Sequence, residues 1–242
     1  MKAFDLSPLA TAIATRRCAL FAGAGLTVDS GGTWPDLTEF LKKKYGYSSP
    51  LKDNFEIIGD MCDKFGRTDI YNAVVERLKG ARINEPVAKL MVFPWFTTFT
   101  TNYDLALETT LNARQKLTVR TILTGKEYAL AGLQSEMLCV KLMGSLDVPD
   151  KQPGAMVLDP GDLAIAREER SRIFDMLASH AANLSFLFLG YSFNDNLFFE
   201  ILQKLIKEIG KPKNTYYAVF REEPDEEKAY LLKQYNVEVI VS

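Results

Sequence analysis

The sequence predicts an α/β fold: a Rossmann-like, mostly parallel sheet with helices on both faces and an inserted helical subdomain. Three observations predict it. Short apolar runs alternate with longer helical segments over most of the chain. Several runs are apolar at consecutive rather than alternate residues, as in strands buried on both faces. Four runs end in small or polar residues that open a turn: Gly23-Ala24-Gly25, Thr101-Asn102-Tyr103-Asp104, Met143-Gly144-Ser145 and Gly190-Tyr191-Ser192.

Cys18–Ala22 is the first expected strand and runs directly into Gly23. Asp36–Leu90 contains helical patterns, including Leu37–Tyr45 and Asp69–Lys79, and no convincing strand. It is too long for an ordinary crossover, so residues 36–90 are read as a helical insert between core segments 1–35 and 91–242, all within one domain. Phe96–Thr101 is the next strand, followed by a helix over Leu105–Asn112. Thr118–Leu123 and Met137–Leu142 are further strands, and Asp147–Pro160, rich in Pro, Gly and Asp, is a loop. Leu184–Leu189 is a fully buried strand. An amphipathic helix with Leu197, Phe198, Ile201, Leu202, Leu205, Ile206 and Ile209 on one face follows it, stopped by Gly210 and Pro212. Thr215–Phe220, the helix Pro224–Tyr235 and the strand Val237–Val241 complete the order. An apolar strand running to Ser242 suggests a module of a longer protein.

Composition narrows the classes of function. The 242 residues carry 29 Lys+Arg against 31 Asp+Glu, a net charge of −2, which gives no general attraction to nucleic acid or to an anionic membrane. The longest uncharged apolar stretch, Leu184–Gly190, is far short of the roughly 20 residues of a membrane span. No signal-peptide core occupies the first residues. The 3 cysteines, Cys18, Cys62 and Cys139, are scattered, so neither a disulfide framework nor a paired-cysteine metal site is expected. A soluble, reduced, cytoplasmic protein without a metal is the reading. The single histidine, His180, limits the available acid–base chemistry.

In open α/β sheets, ligands collect outside the carboxyl ends of the strands. Gly23-Ala24-Gly25-Leu26-Thr27 has the form of a phosphate loop, in which glycines admit the ligand to the backbone and a following helix offers free N–H groups. It is equally a structural turn, and it is neither a dinucleotide fingerprint nor a Walker loop. Asn102 and Asp104 shape a turn and cap the helix from Leu105, or they face a ligand with an amide and a carboxylate. Gly190-Tyr191-Ser192-Phe193-Asn194-Asp195 is a second nucleotide loop or a helix start capped by Asp195. Lys42-Lys43-Lys44 is a solvated helix face.

Together the four segments resemble the sirtuin (silent information regulator) superfamily, in particular its prokaryotic NAD-consuming antiphage-defence branch. Phe21-Ala22-Gly23-Ala24-Gly25-Leu26-Thr27 is similar to the family's Gly-Ala-Gly-X-Ser/Thr opening. Gly31-Gly32-Thr33-Trp34-Pro35-Asp36-Leu37 resembles the Gly-X-Pro-X-Trp-X-X-Leu segment. Thr100-Thr101-Asn102-Tyr103-Asp104 resembles Thr-Thr-Asn-Tyr-Asp, and Phe188-Leu189-Gly190-Tyr191-Ser192-Phe193 the late Leu-Gly-Tyr-Ser-Phe element. The resemblance implies an NAD site. Ala22, Gly23, Ala24, Gly25 and Thr27 would face the diphosphate and adjoining ribose. Asn102 and Asp104 would face the nicotinamide ribose pocket, and Thr101, Gly144 and Ser145 would also belong to the NAD-binding residues. Gly190, Tyr191 and Ser192 would lie on the adenosine side, and Trp34 in a mobile loop over the nicotinamide half. It implies cleavage of NAD to ADP-ribose and nicotinamide rather than deacetylation, since deacetylases usually carry two cysteine pairs. A defence-system partner protein or self-association is the implied assembly.

One position breaks the pattern. Where the family has Lys-Leu-His-Gly-Ser, this chain reads Lys141-Leu142-Met143-Gly144-Ser145. Methionine carries no transferable proton, and general base catalysis is typically worth about 10²–10⁴-fold. Met143 therefore implies weakened turnover with a pocket still able to bind. His180, at the end of the helix before Leu184, falls at the amino edge of the sheet and is read as a surface or interface residue. Asp104 is the better candidate for orienting a water. The alternative to a weakened hydrolase is a catalytically silent domain that senses NAD or ADP-ribose or scaffolds an assembly.

Overall fold

The computed structural model describes residues 5–131, 136–193, 199–200, 203, 207 and 213–242. The strands are Cys18–Ala22 (β1), Thr98–Thr100 (β2), Thr118–Ile122 (β3), Glu136–Lys141 (β4), Ser185–Leu189 (β5), Tyr216–Phe220 (β6) and Val237–Val241 (β7). They form one seven-stranded sheet in the order β3-β4-β2-β1-β5-β6-β7. Every neighbouring pair is parallel.

The consecutive apolar runs are explained by burial on two faces. Ala19 and Phe21 of β1 join one core with Phe99, Phe186 and Phe188, while Cys18, Leu20 and Ala22 join another with Leu187 and Leu189. On the first face the rings stack in sequence: Phe99 on Phe186 at 5.9 Å between centroids, and Phe186 on Phe188 at 5.9 Å. Such pairs add to the apolar burial itself.

The helices begin with Ser7–Ala14 (α1). The insert contributes Trp34–Tyr45 (α2), Asn54–Phe65 (α3), Arg67–Leu78 (α4) and the short Glu85–Ala88 (α5). Its caps are local sequence chemistry. The Thr33 hydroxyl accepts from the Asp36 N–H, Asp53 accepts from the Phe55 and Glu56 N–H groups, and Gly46 ends α2 in the left-handed conformation. Leu37, Leu41, Ile57, Ile58, Met61, Ile70 and Val74 form a third core. That core also takes Tyr103, Met156 and Leu158, so the insert is sealed onto the carboxyl edge of the sheet. After β2 come Ala106–Arg114 (α6), Gly125–Ala129 (α7), Pro160–Glu169 (α8) and Ser171–Asn183 (α9), and the last helix is Glu226–Gln234.

Several expectations shift. The strand expected over Phe96–Thr101 narrows to Thr98–Thr100. The segment expected as a loop over Asp147–Pro160 is irregular, but Ala155–Leu158 is buried, because Tyr71, Tyr103 and Arg170 satisfy its backbone groups. No α-helix follows Gly25. Residues Ala24–Ser30 form a 3₁₀ segment kinked at Thr27 (φ −122°, ψ 29°), and the first α-helix of that connection starts at Trp34. His180 is half-buried rather than on the surface, because the last turn of α9 lays it against Phe96 and Phe99, at 5.2 and 5.7 Å between ring centroids. The helix expected around Leu197–Ile209, with its stop at Gly210 and Pro212, lies outside the described residues at those positions, as do Asn194 and Asp195.

Candidate functional site

The chain leaves β1 toward β2 and leaves β5 toward β6, on opposite sides, so the switch point of the sheet lies between β1 and β5. There the glycines interlock. The Gly23 N–H donates to the Leu189 carbonyl at 2.9 Å, and the Gly25 N–H to the Gly190 carbonyl at 2.8 Å. A Cβ on Gly25 would fall 2.8 Å from the Gly190 Cα; one on Gly190, whose φ is +63°, would fall 2.5 Å from the Leu26 nitrogen. These two N–H groups join β1 to β5.

Beside it, Asn102 lies two residues past the end of β2. Its side-chain N–H donates to the Gly23 carbonyl at 3.2 Å, its backbone N–H donates to the Thr100 hydroxyl at 3.0 Å, and its Oδ1 is buried without a partner. Asp104 precedes the Leu105 N-cap of α6, and its Oδ1 accepts from the Ala106 N–H at 2.9 Å. Its Oδ2 lies 3.3 Å from the Thr27 hydroxyl, whose proton is shared with the Ala24 carbonyl at 3.3 Å. Asp104 and Thr27 are 3% and 1% exposed, so this link between the first turn and the β2 turn is sealed from water. Thr101 is half-buried in the same turn.

Next along the edge, β4 runs through Lys141 into Met143-Gly144-Ser145. Gly144 adopts φ +92°, and a side chain there would run into the backbone at Ala155. The Ser145 N–H donates to the Gly154 carbonyl at 3.0 Å, while its hydroxyl is buried and unpartnered. Met143 is half-buried and packs against both the sheet core and the insert core, with its carbonyl accepting from the Val157 N–H at 2.9 Å. Trp34 sits on the first turn of α2 rather than in a loop. Its ring meets Phe55 and Tyr103 edge-on at 5.4 and 6.0 Å. Tyr191 is buried against Phe21 and Phe188, whereas Ser192 is exposed and its carbonyl accepts from the Lys228 ammonium at 3.2 Å. Among the residues read as a site, Gly23, Gly25, Thr27, Asn102, Asp104 and Gly190 therefore form one connected cluster. Gly144 and Ser145 adjoin it across the Tyr103 carbonyl, to which the Leu146 N–H donates at 3.0 Å.

Three residues of this edge escape a sequence reading. Lys141 is fully buried and donates to the carbonyls of Tyr103, at 3.2 Å, and Asp104, and to the Glu108 carboxylate at 2.8 Å. Burial pushes the Glu108 carboxyl above the usual range, against the pull of Lys141. Arg170, 2% exposed, donates to the Leu142 carbonyl at 2.9 Å and the Ala155 carbonyl at 2.8 Å, and burial lowers its guanidinium. One signal was available: a lysine closing an otherwise apolar strand. Arg170 lies in a charged run that looks solvated. A cavity of about 310 Å³ beside α7 and α9 and another of about 170 Å³ behind Ala155–Val157 both lie off the cluster, and neither is lined by Asn102, Asp104 or Ser145. The geometry of the strand ends is the better guide.

Among the described residues no cluster of three His, Cys, Asp or Glu side chains is placed to hold a metal, and no helix is long and apolar enough to cross a membrane. Cys18, Cys62 and Cys139 are buried and free, each thiol pushed up to about 12 by burial.

An all-parallel sheet with its polar side chains gathered at the carboxyl edge places this protein in the Rossmann-like α/β class. A family model described as a SIR2-like domain matches residues 97–240, and the chain belongs to that family. Curated relatives agree. The chain is 26% identical over 207 residues to the NAD(+) hydrolase ThsA of Cytobacillus dafuensis, covering 84% of this chain and 41% of that protein. It is 24% identical over 219 residues to the Bacillus cereus NAD(+) hydrolase ThsA, covering 87% and 45%, and 24% identical over 235 residues to that of Acinetobacter baumannii, covering 89% and 46%. The chain thus spans less than half the length of these relatives. A solved SIR2 homologue–NAD complex shares the fold, with a TM-score of 0.54 at 13% identity, over 96% of this chain and 86% of that one.

Proposed function

We propose that this domain binds NAD across the carboxyl ends of β1, β2, β4 and β5, and that it is of the type that hydrolyses NAD to ADP-ribose and nicotinamide in antiphage defence. The observation that carries the reading is a pair of buried, unpartnered polar atoms on neighbouring strand ends, Asn102 Oδ1 and Ser145 Oγ. Buried polar atoms without partners are uncommon in native interiors, and a ligand rich in hydroxyl and amide groups would satisfy an acceptor and a hydroxyl so placed. The names borne by the ThsA relatives support NAD as that ligand. Asn102, held by the Gly23 carbonyl, would orient a ribose hydroxyl or water. Asp104, with one oxygen on Ala106 and the other near Thr27, would act by fixing that geometry.

In hydrolysis the bond from the ribose to the nicotinamide nitrogen breaks. Water supplies hydroxyl to the ribose carbon, and a proton is released. The pyridinium leaves as a neutral ring, so departure needs no acid. Met143, in the place where the resemblance has histidine, leaves the attacking water without a base. That position favours a second reading, a domain that binds NAD or ADP-ribose without turnover. Calorimetry with NAD and nicotinamide release before and after Met143→His separate the two. Binding, with release rising by about 10²–10⁴-fold in the histidine variant, supports an intact hydrolase pocket lacking its base. Binding without any rise supports the silent reading. No binding at millimolar NAD overturns both.

A further inference from the structure

We propose that Lys141 is a positioning residue, which sets the attitude of the Asn102–Asp104 turn toward its ligand through two main-chain carbonyls. The inference rests on the NAD reading above. A fully buried ammonium is costly, and the strand around it, Met137, Leu138, Cys139 and Val140, is buried and apolar. An unbranched apolar side chain would fill the same space without that cost. A buried ion pair alone is a weak source of stability, and this one is incompletely satisfied, since Glu108 Oε2 has no partner.

What the ammonium does is directional. Its three N–H groups match three acceptors: the carbonyls of Tyr103 and Asp104 and one oxygen of Glu108. Two of the three lie in the turn that carries Asn102 and Asp104. The Tyr103 carbonyl also accepts from the Leu146 N–H, next to Ser145. Lys141 and Leu146, both from β4 and its turn, thereby hold the β2 turn and the β4 turn in one frame. Those turns carry the two unpartnered atoms. Glu108, one helical turn beyond Asp104, anchors the ammonium and balances its charge.

The test compares the protein with Lys141→Met, Lys141→Met/Glu108→Met, Glu108→Gln and Asn102→Ala. It reads denaturant stability, NAD affinity by calorimetry, and hydrogen exchange of the amides of residues 101–106. The single lysine variant should lose stability because Glu108 is left buried and unpaired, and the double variant should regain most of it. NAD affinity of the double variant should nonetheless stay about tenfold or more below the parent, as in Asn102→Ala, with faster exchange at residues 101–106. Glu108→Gln, which leaves both carbonyl bonds in place, should bind NAD within about twofold of the parent. A double variant with parental affinity and parental exchange overturns the proposal and leaves Lys141 as a charge partner only. If neither lysine variant folds, loss of affinity in Glu108→Gln equal to that of Asn102→Ala overturns it, and retained affinity supports it. If the parent binds no NAD while residues 101–106 still loosen in the double variant, the ligand reading fails and the positioning role stands.

Discussion

The two halves of the carboxyl edge are built from different materials. At β1 and β5 the contact is backbone on backbone: Gly23, Gly25 and Gly190 pass so closely that no side chain fits between them. At β2 and β4 the edge carries buried polar side chains, Asn102, Asp104, Lys141 and Ser145, of which Lys141 bonds across to the β2 turn and Asn102 and Ser145 keep an unpartnered atom. In the first half the Gly23 and Gly25 N–H groups bond within the junction, the Gly23 carbonyl accepts from Asn102, and the glycines supply shape. The second holds unsatisfied capacity and, on the function proposed above, would supply the chemistry. Thr27 is the one hydroxyl that spans them, reaching from the first turn to Asp104.

The largest way to break this contrast is Gly190→Ala. Its backbone lies at φ +63°, and its Cβ would sit 2.5 Å from a main-chain nitrogen that cannot swing aside. The left-handed conformation and the forced backbone shift together should cost about 3 kcal/mol. Gly46→Ala is the control, at φ +60° with nothing within 4 Å, and should cost about 1 kcal/mol. Equal losses in urea unfolding would mean that close packing at the β1–β5 junction adds nothing to the strain. Thr27→Val comes next. It keeps the shape but takes the hydroxyl from a buried carboxylate oxygen, for a loss of about 2 kcal/mol. An unchanged midpoint would show that Asp104 does not depend on the first turn.

The opposite edge of the sheet offers a contrast in pH. Burial against Phe96 and Phe99 holds the His180 imidazole below its ordinary range. Below about pH 6.5 the unfolded chain takes up a proton that the native ring resists, so native stability falls as pH drops until the native ring protonates too. The slope from this one residue is at most about 1.4 kcal/mol per pH unit. His180→Leu should remove it, and a parent and variant with parallel stability profiles between pH 7 and 5 would refute it.

The fold was legible because its central strands are short and apolar on both faces, which left β1, β4 and β5 little freedom of placement in the sequence. The helical insert was legible as the helical patterns over Leu37–Tyr45 and Asp69–Lys79, whereas the caps at Asp53 and Gly46 emerged only in the structure. The turn after β1 was not. Gly-X-Gly gives no local sign of a backbone junction, because the partner, Gly190, lies 165 residues from Gly25 and its close approach is a contact that no local pattern encodes. Trp34 was misplaced for a similar reason. Thr33-Trp34-Pro35-Asp36 reads as a loop until the Thr33 cap and a proline in the first turn are recognised as a helix start. Asn102 and Asp104 were visible by type, but the residue that holds their turn was not, since Lys141 acts through the Tyr103 and Asp104 carbonyls, which carry no side-chain signature.

The smallest effect tests how the insert is joined to the chemical half. The Tyr103 hydroxyl donates to the Val157 carbonyl, and the Val157 N–H donates to the Met143 carbonyl. Tyr103→Phe keeps the ring, its edge-on contact with Trp34 and its place in the insert core, and removes one hydrogen bond. The stability loss should be about 1 kcal/mol, the usual net value of such a bond. If the strap is held by that hydroxyl, amide exchange should rise at Ala155–Leu158 and stay unchanged in β5 and β6, where the sheet does not depend on it. Faster exchange throughout the molecule would instead mean that the insert and the sheet melt as one unit, and that the seam between shape and chemistry lies within the sheet rather than at its edge.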